Sequence, residues 1–291
     1  MVLSDSLVRN RYLKYKKFKN INKKKNPFLV FKNRLSKELE SLVLIYLRQN
    51  LSSQGSNFLD LEKSSQNILK LPNITPGGVI MPKIETQLIY NAIVQICLEG
   101  ISEISDKLYE ITPITIRFKS GNSKSLSRPY ETSKLHSDAW VGMFGDGIIS
   151  IAVMGDVANN GVEFFMPKFI TKDYFGKLND YKQGLTKFKG LKKIGNLKEN
   201  HIHLFDNIVL HKSMSKKKCL PRISIDFAYK LRPNIDKHFL KPDLKRYNFN
   251  KTSIYNTIGV KSYYISNEHI KDTKKRIKKN LKFKKDEIIK I

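Results

Sequence analysis

Residues 134–140 read KLHSDAW, a histidine and an aspartate one residue apart inside an otherwise strand-like run. Side chains on a strand alternate between faces, so a strand here turns His136 and Asp138 to the same side, within reach of one ion. Taken alone, the pair is equally well two polar side chains on a half-buried strand. A third ligand has to come from a distant segment that the fold brings close. His211 is so placed, 211 − 138 = 73 positions beyond Asp138, where the strand-like Ile208-Val209-Leu210 ends.

The surroundings of this stretch are rich in short β-segments. Ile114 to Lys119, Ile148 to Asp156, Val162 to Pro167, His201 to Phe205, Ile208 to His211 and Arg222 to Leu231 all carry strand-forming residues. Gly145-Asp146-Gly147 precedes one of them, and Asn159-Asn160-Gly161 marks a hairpin before Val162. Many short strands with turns between them predict a sandwich, barrel or jelly roll. The lysine- and glycine-rich insert from Thr171 to Asn200 is able to fold over one end as a lid.

Helical spacing of apolar residues appears before this zone, over Leu35 to Leu51 and over Ile84 to Leu108, the latter interrupted by Gly100. Between them, Pro72 to Gly78 has loop chemistry. The organisation expected is a basic N-terminal helical region over 1–110, a β-core over 111–233 and a C-terminal extension over 234–291. That extension carries Tyr247, Phe249, Tyr255, Tyr263 and Tyr264, then a basic helical tail.

With 291 residues, 40% of them hydrophobic, the chain can bury a sizeable core. Two cysteines, Cys97 and Cys219, cannot build a disulfide framework or a cysteine metal cluster. No apolar run reaches transmembrane length and no signal peptide is evident, so a cytoplasmic protein is expected. The net charge of +28 suggests nucleic acid at first. Yet only ten of the 54 cations are arginine, the residue whose planar fork suits phosphate and base recognition. The lysines travel with many asparagines and isoleucines, the bias of an AT-rich genome. They concentrate in Lys14 to Lys25 and Lys271 to Lys285, which reads as solvated flanking surface. Affinity for an acidic polymer, a membrane surface or a phosphorylated substrate is the lesser alternative.

A second constellation follows His211. Arg222 lies 222 − 211 = 11 positions further on, in PRISIDF, and shares a strand face with Ser224. A guanidinium and a hydroxyl side by side can grip a carboxylate. Together His136-Ser137-Asp138, His211 and Arg222-Ile223-Ser224 resemble the HxD…H…RxS signature of Fe(II)- and 2-oxoglutarate-dependent dioxygenases. SKLHSDAWVG, GVEFFMP and PRISIDFAYKLRP are similar to a narrower group, the streptomycin-biosynthesis, sporadic-carbohydrate-cluster and phytanoyl-CoA-hydroxylase-like enzymes.

The resemblance covers the β-zone and little of the flanks. It implies a mainly β fold with flanking helices, the double-stranded β-helix or cupin-like jelly roll. It also implies Fe(II) held by His136, Asp138 and His211 with positions left open, and 2-oxoglutarate and O2 as cosubstrates. Arg222 and Ser224 would meet the far carboxylate of 2-oxoglutarate. Hydroxylation of a small molecule or sugar in carbohydrate, cell-surface or secondary-metabolite biosynthesis is the outcome implied.

Other residues compete for roles. His201 and His203 form a second same-face pair that, with His211, is similar to the metal set of ordinary cupins, and would make the chain an isomerase or a non-catalytic barrel binding an acidic glycan or nucleic acid through its basic ends. Asp206 stands where such a cupin would want a glutamate, so this set ranks below HxD…H…RxS. Arg117, Arg128, Thr132 and Ser133 either contact the near end of 2-oxoglutarate or an anionic substrate, or are structural. Trp140 has core packing as its default and substrate stacking as its alternative. Glu163 reads as a solvated edge residue and Cys219 as unreactive.

Overall fold

Every second residue from Ile149 to Val153 and from Ile223 to Tyr229 is apolar and buried, which gives the main sheet two faces with different neighbours. The computed structural model describes residues 5–16, 27–51, 65–71, 73–75, 77–101, 108–111, 114–121, 131–142, 145–216, 219–231, 248–249 and 263–264. In chain order these form α1 (Asp5–Lys16), β1 (Phe28–Lys32), α2 (Ser36–Leu51), α3 (Ser65–Ile68), β2 (Val79–Ile80), α4 (Gln87–Gly100), β3 (Leu108–Ile111) and β4 (Thr115–Lys119). They continue with β5 (Gly147–Gly155), β6 (Val162–Ile170), β7 (Phe188–Asn196), β8 (His201–Asp206), β9 (Leu210–Ser213) and β10 (Arg222–Leu231). The two-residue strands β11 (Asn248–Phe249) and β12 (Tyr263–Tyr264) pair with each other. Arg128, both dense lysine runs beyond Lys16, and the rest of the C-terminal extension lie outside the described residues.

A seven-stranded antiparallel sheet has the order β1-β8-β5-β10-β4-β2, with β3 also on β10. A second sheet has the order β7-β6-β9, and a bridge between His136 and His211 extends it by one position. From β4 onward the chain therefore visits large sheet, small sheet, large, small, small, large, small, large. The inner ladders are β8-β5-β10-β4 facing β7-β6-β9-His136. This alternation is the wiring of a double-stranded β-helix.

On β5, Ile149, Ile151 and Val153 face outward, and on β10 Ile223, Ile225, Phe227 and Tyr229 do the same. They pack on Leu39, Val43 and Leu47 of α2 and on Ile93, Val94 and Cys97 of α4, giving a helical layer over the large sheet. Burial of each such side chain stabilises the fold by about 1.5–3 kcal/mol. Between the sheets lies a separate cluster containing Trp140, Ile148, Ala152, Phe164, Phe205 and Leu210. The polar residues Ser150, Arg222 and Ser224 alternate with the outward apolar ones and share this inner side.

Three expectations change. The N-terminal region is not only helical, because Phe28–Lys32 joins β8 as an edge strand through an unbroken five-residue register. The second helix stops at Gly100, where the missing Cβ admits Asn33 Oδ1 and the Ile202 side chain within 3.2 Å. The segment 171–200 is not all insert, since Phe188–Asn196 is β7, paired with β6.

Candidate metal centre

KLHSDAW is not a strand through its length. His136 makes a two-way backbone bridge with His211 (N···O 3.0 and 2.8 Å), and the chain then turns into a 3-10 helix over Asp138–Val141. Ser137 caps that helix, its Oγ accepting from Ala139 N at 3.2 Å, and Gly142 ends it with φ +81°. His136 and Asp138 thus converge through a bridge and a helix start rather than through strand alternation. The bridge brings His211, 75 positions away (211 − 136), beside them.

One donor atom from each of His136, Asp138 and His211 lies within 4.8 Å of the others, so the three can hold one metal ion. Asp138 Oδ2 stands 3.4 Å from His211 Nε2, and the two imidazole centroids are 4.2 Å apart. His136 Nδ1 donates to the Lys134 carbonyl at 2.7 Å, which puts the proton there and leaves the Nε2 lone pair for a ligand. Burial, with His211 beside it, holds His136 down to about 3, and burial holds His211 down to about 4. Both rings are then neutral at pH 7, the form a metal requires. Burial raises Asp138, an unfavourable placement that a cation would reverse.

The second half of the site is on β10. Arg222 is 2% exposed, and among the described residues its Nε and Nη1 find no hydrogen-bond partner; Ser224 Oγ, 1% exposed, finds none there either. Burial pulls the guanidinium down to about 10, so it stays cationic at neutral pH. A buried cation with idle donors is expensive unless an anion completes it. The donor set fits a carboxylate.

Other predicted residues fall as follows. Arg117 on β4 sits opposite Ser224 in register, donating to Asp226 Oδ2 (3.3 Å) and to the Gly77 carbonyl (2.7 Å). Thr132 pairs with Ser213 through backbone and hydroxyl. Ser133 is exposed on the turn before His136, and among the described residues no hydrogen bond joins it to the site. His203 is fully buried with Nε2 accepting from Lys198 N (3.1 Å), and His201 Nδ1 bonds the Glu199 carbonyl; neither belongs to the metal-capable group. Glu163 bridges Lys193 (2.6 Å) and Lys212 (3.3 Å) on the small sheet. Cys219 donates to the Gly121 carbonyl and is buried.

Trp140 is core. It is fully buried, and its Nε1 donates to the Tyr174 carbonyl at 2.7 Å. Residues 171–187 pack on it: Leu178 N donates to the Trp140 carbonyl, and a Cβ at Gly184 would overlap the indole. This segment lays Tyr181 flat on His136, centroids 4.2 Å apart and planes 15° from parallel. Tyr181 was not legible from spacing, because it opens a single short 3-10 helix, Tyr181–Thr186, with no periodic partner in sequence. Asp226 and Ser150 also face the inner side, and the period of two in PRISIDF, continued to Asp226, would have found the first.

No family model matches the chain, and no curated protein does. Among solved structures it is similar to the non-heme alpha-ketoglutarate-dependent epimerase SnoN from nogalamycin biosynthesis (11% identity, 79% of this chain and 87% of that one, TM-score 0.41). It is also similar to the non-heme monooxygenase ThoJ (11%, 78% and 79%, TM-score 0.40) and to EctD from S. alaskensis, solved with 2-oxoglutarate and 5-hydroxyectoine (14%, 70% and 72%, TM-score 0.39). The fold assignment is carried by the strand order and register of this chain itself. Among the described residues no helix is long and apolar enough to cross a membrane.

Proposed function

We propose that the chain is an Fe(II)- and 2-oxoglutarate-dependent oxygenase. The observation that carries this is a fully buried arginine with idle donors, on the strand face that shares the space between the sheets with a His–Asp–His group. His136 Nε2, His211 and the Asp138 carboxylate would hold the iron. Arg222 and Ser224 would bind the far carboxylate of 2-oxoglutarate through charge-assisted hydrogen bonds. When bound, iron and 2-oxoglutarate supply oxidising power from O2, one oxygen atom going to the substrate and the other to succinate as CO2 leaves.

The protein's own part is binding, orientation and exclusion of water. The Lys134 carbonyl fixes the His136 tautomer at the ring edge, and Tyr181 restrains the ring by stacking on its face. The Trp140-anchored segment 171–187 covers the iron end of the site. The substrate we propose is a sugar, aminocyclitol or activated small molecule, hydroxylated in carbohydrate, cell-surface or secondary-metabolite biosynthesis. Its support is the resemblance of SKLHSDAWVG, GVEFFMP and PRISIDFAYKLRP to that group of enzymes.

The test is succinate release from 2-oxoglutarate by the Fe(II)-loaded protein in air, screened with candidate sugars and aminocyclitols for stimulation. Release is expected, and Arg222→Ala should raise the KM for 2-oxoglutarate by about 100-fold or more, the scale of breaking a buried charged pair. No succinate from iron-loaded wild type under any of these conditions would refute the reading.

A further inference from the structure

The inner face of β10 carries a third polar residue besides Arg222 and Ser224. Asp226, two positions beyond Ser224, accepts from Ser150 Oγ on β5 at 2.6 Å and from Arg117 Nε on β4 at 3.3 Å. Arg117 also donates from Nη1 to the Gly77 carbonyl, so its guanidinium is fixed at two of its nitrogens. Nη2 is left without a partner among the described residues. Arg117 and Asp226 stay 24% and 27% exposed, whereas Arg222 is sealed at 2%.

The placement of this pair is informative. Arg117 stands directly opposite Ser224 across the ladder. Its charge acts on His136, Asp138, His211 and Arg222, and that of Asp226 acts on Asp138, His211 and Arg222. On the inner face the pair follows Arg222 along β10, with Arg117 leaning from its place opposite Ser224 toward Asp226, and its charges reach both the metal-capable group and the distal arginine. Charge balance points the same way. Fe(II), Asp138, 2-oxoglutarate and Arg222 already sum to neutrality, so a second arginine here needs its own anion, and Asp226 supplies it.

Resting on the oxygenase reading, we propose that Asp226 is a positioning residue: it aims Arg117 at the metal-side carboxylate of 2-oxoglutarate, and Ser150 holds it to that task. The two ends of the cosubstrate then have separate arginines, Arg222 for the distal carboxylate and Arg117 for the 2-oxo acid.

The test titrates two acids anaerobically into Fe(II)-loaded protein and follows the visible band of the chelate. One is 2-oxoglutarate; the other is pyruvate, which keeps the 2-oxo acid and lacks the distal carboxylate. Asp226→Asn should weaken both by about tenfold and by the same factor, and Arg117→Lys should match it. Asp226→Glu should recover part of the loss. Ser150→Ala, which removes only a hydroxyl, should give a smaller loss in the same direction and serves if Asp226→Asn does not fold. Fe(II) affinity without either acid should stay within about threefold. Arg222→Ala should weaken 2-oxoglutarate and spare pyruvate. Wild-type affinity for both acids in Asp226→Asn and Ser150→Ala, or a parallel loss of Fe(II) affinity, would overturn the positioning role and leave the oxygenase reading intact. Absence of any band in wild type would instead overturn the oxygenase reading.

Discussion

His203 and His136 are two buried histidines with opposite assignments, and their hydrogen bonds separate them. His136 spends Nδ1 on a carbonyl and keeps Nε2 bare toward Asp138 and His211, whereas His203 spends Nε2 on a backbone amide. A histidine-x-histidine pair and a histidine-x-aspartate pair look equally plausible as letters; only the folded partners tell which ring is available. Burial holds His203 down to about 4 from an ordinary value of 6.5. Between those values the unfolded chain takes up a proton that the folded chain refuses, so stability falls as pH drops from about 6.5 toward about 4 and is unaffected above that window. In metal-free protein, urea midpoints at pH 7 and pH 5 should show His203→Phe losing about 2 kcal/mol less than wild type over that interval, after its constant cost at both pH values. An unchanged pH slope would argue that His203 is not the neutral core residue described. Asp226 was readable at this scale from strand alternation, but nothing in the letters says that a carboxylate would serve an arginine 109 positions away (226 − 117).

Among the elements, α2 was legible because Leu39, Val43, Tyr46, Leu47 and Leu51 repeat at helical spacing and all are buried. The same face hides Asn50, whose side chain accepts from Lys83 N and Thr86 Oγ1 and donates to the Tyr46 carbonyl, a hub invisible to hydropathy. β7 was missed for the converse reason: Lys189, Leu191, Lys192 and Lys193 are exposed, so its pattern lacks a buried alternation and only pairing with β6 defines it. The segment 171–187 is held by the indole of Trp140, the single tryptophan of the chain. Gly184→Ala would force the new methyl into that ring. It should cost about 1–3 kcal/mol of stability, shift the Trp140 emission toward longer wavelength as water reaches it, and lower kcat more than it raises the KM for 2-oxoglutarate. Emission and turnover identical to wild type would mean that the segment does not seal the iron end.

For the whole molecule, the two sheets divide the work. The outer face of the large sheet binds the helices and supplies stability, while the inner face, opposite the small sheet, carries Arg117, Ser150, Arg222, Ser224 and Asp226 among apolar neighbours. The jelly roll was foreseeable from many short strands and turns, and the grouping of His136, Asp138 and His211 from residue types at long spacings. The convergence of His136 and Asp138 was foreseen for a different local geometry, because a two-residue bridge followed by a 3-10 turn serves as well as a strand. The edge strand β1 was hidden in a lysine-rich stretch whose pairing is decided by β8. The most direct test of the central claim is the visible spectrum of the protein with Fe(II) and 2-oxoglutarate under strict exclusion of O2. Wild type should show a weak charge-transfer band at one iron per chain, lost in His136→Ala, and Arg222→Ala should need about 100-fold more 2-oxoglutarate to reach it. A wild-type protein that binds iron but gives no band on adding 2-oxoglutarate, or a His136→Ala protein that keeps the band, would contradict the account.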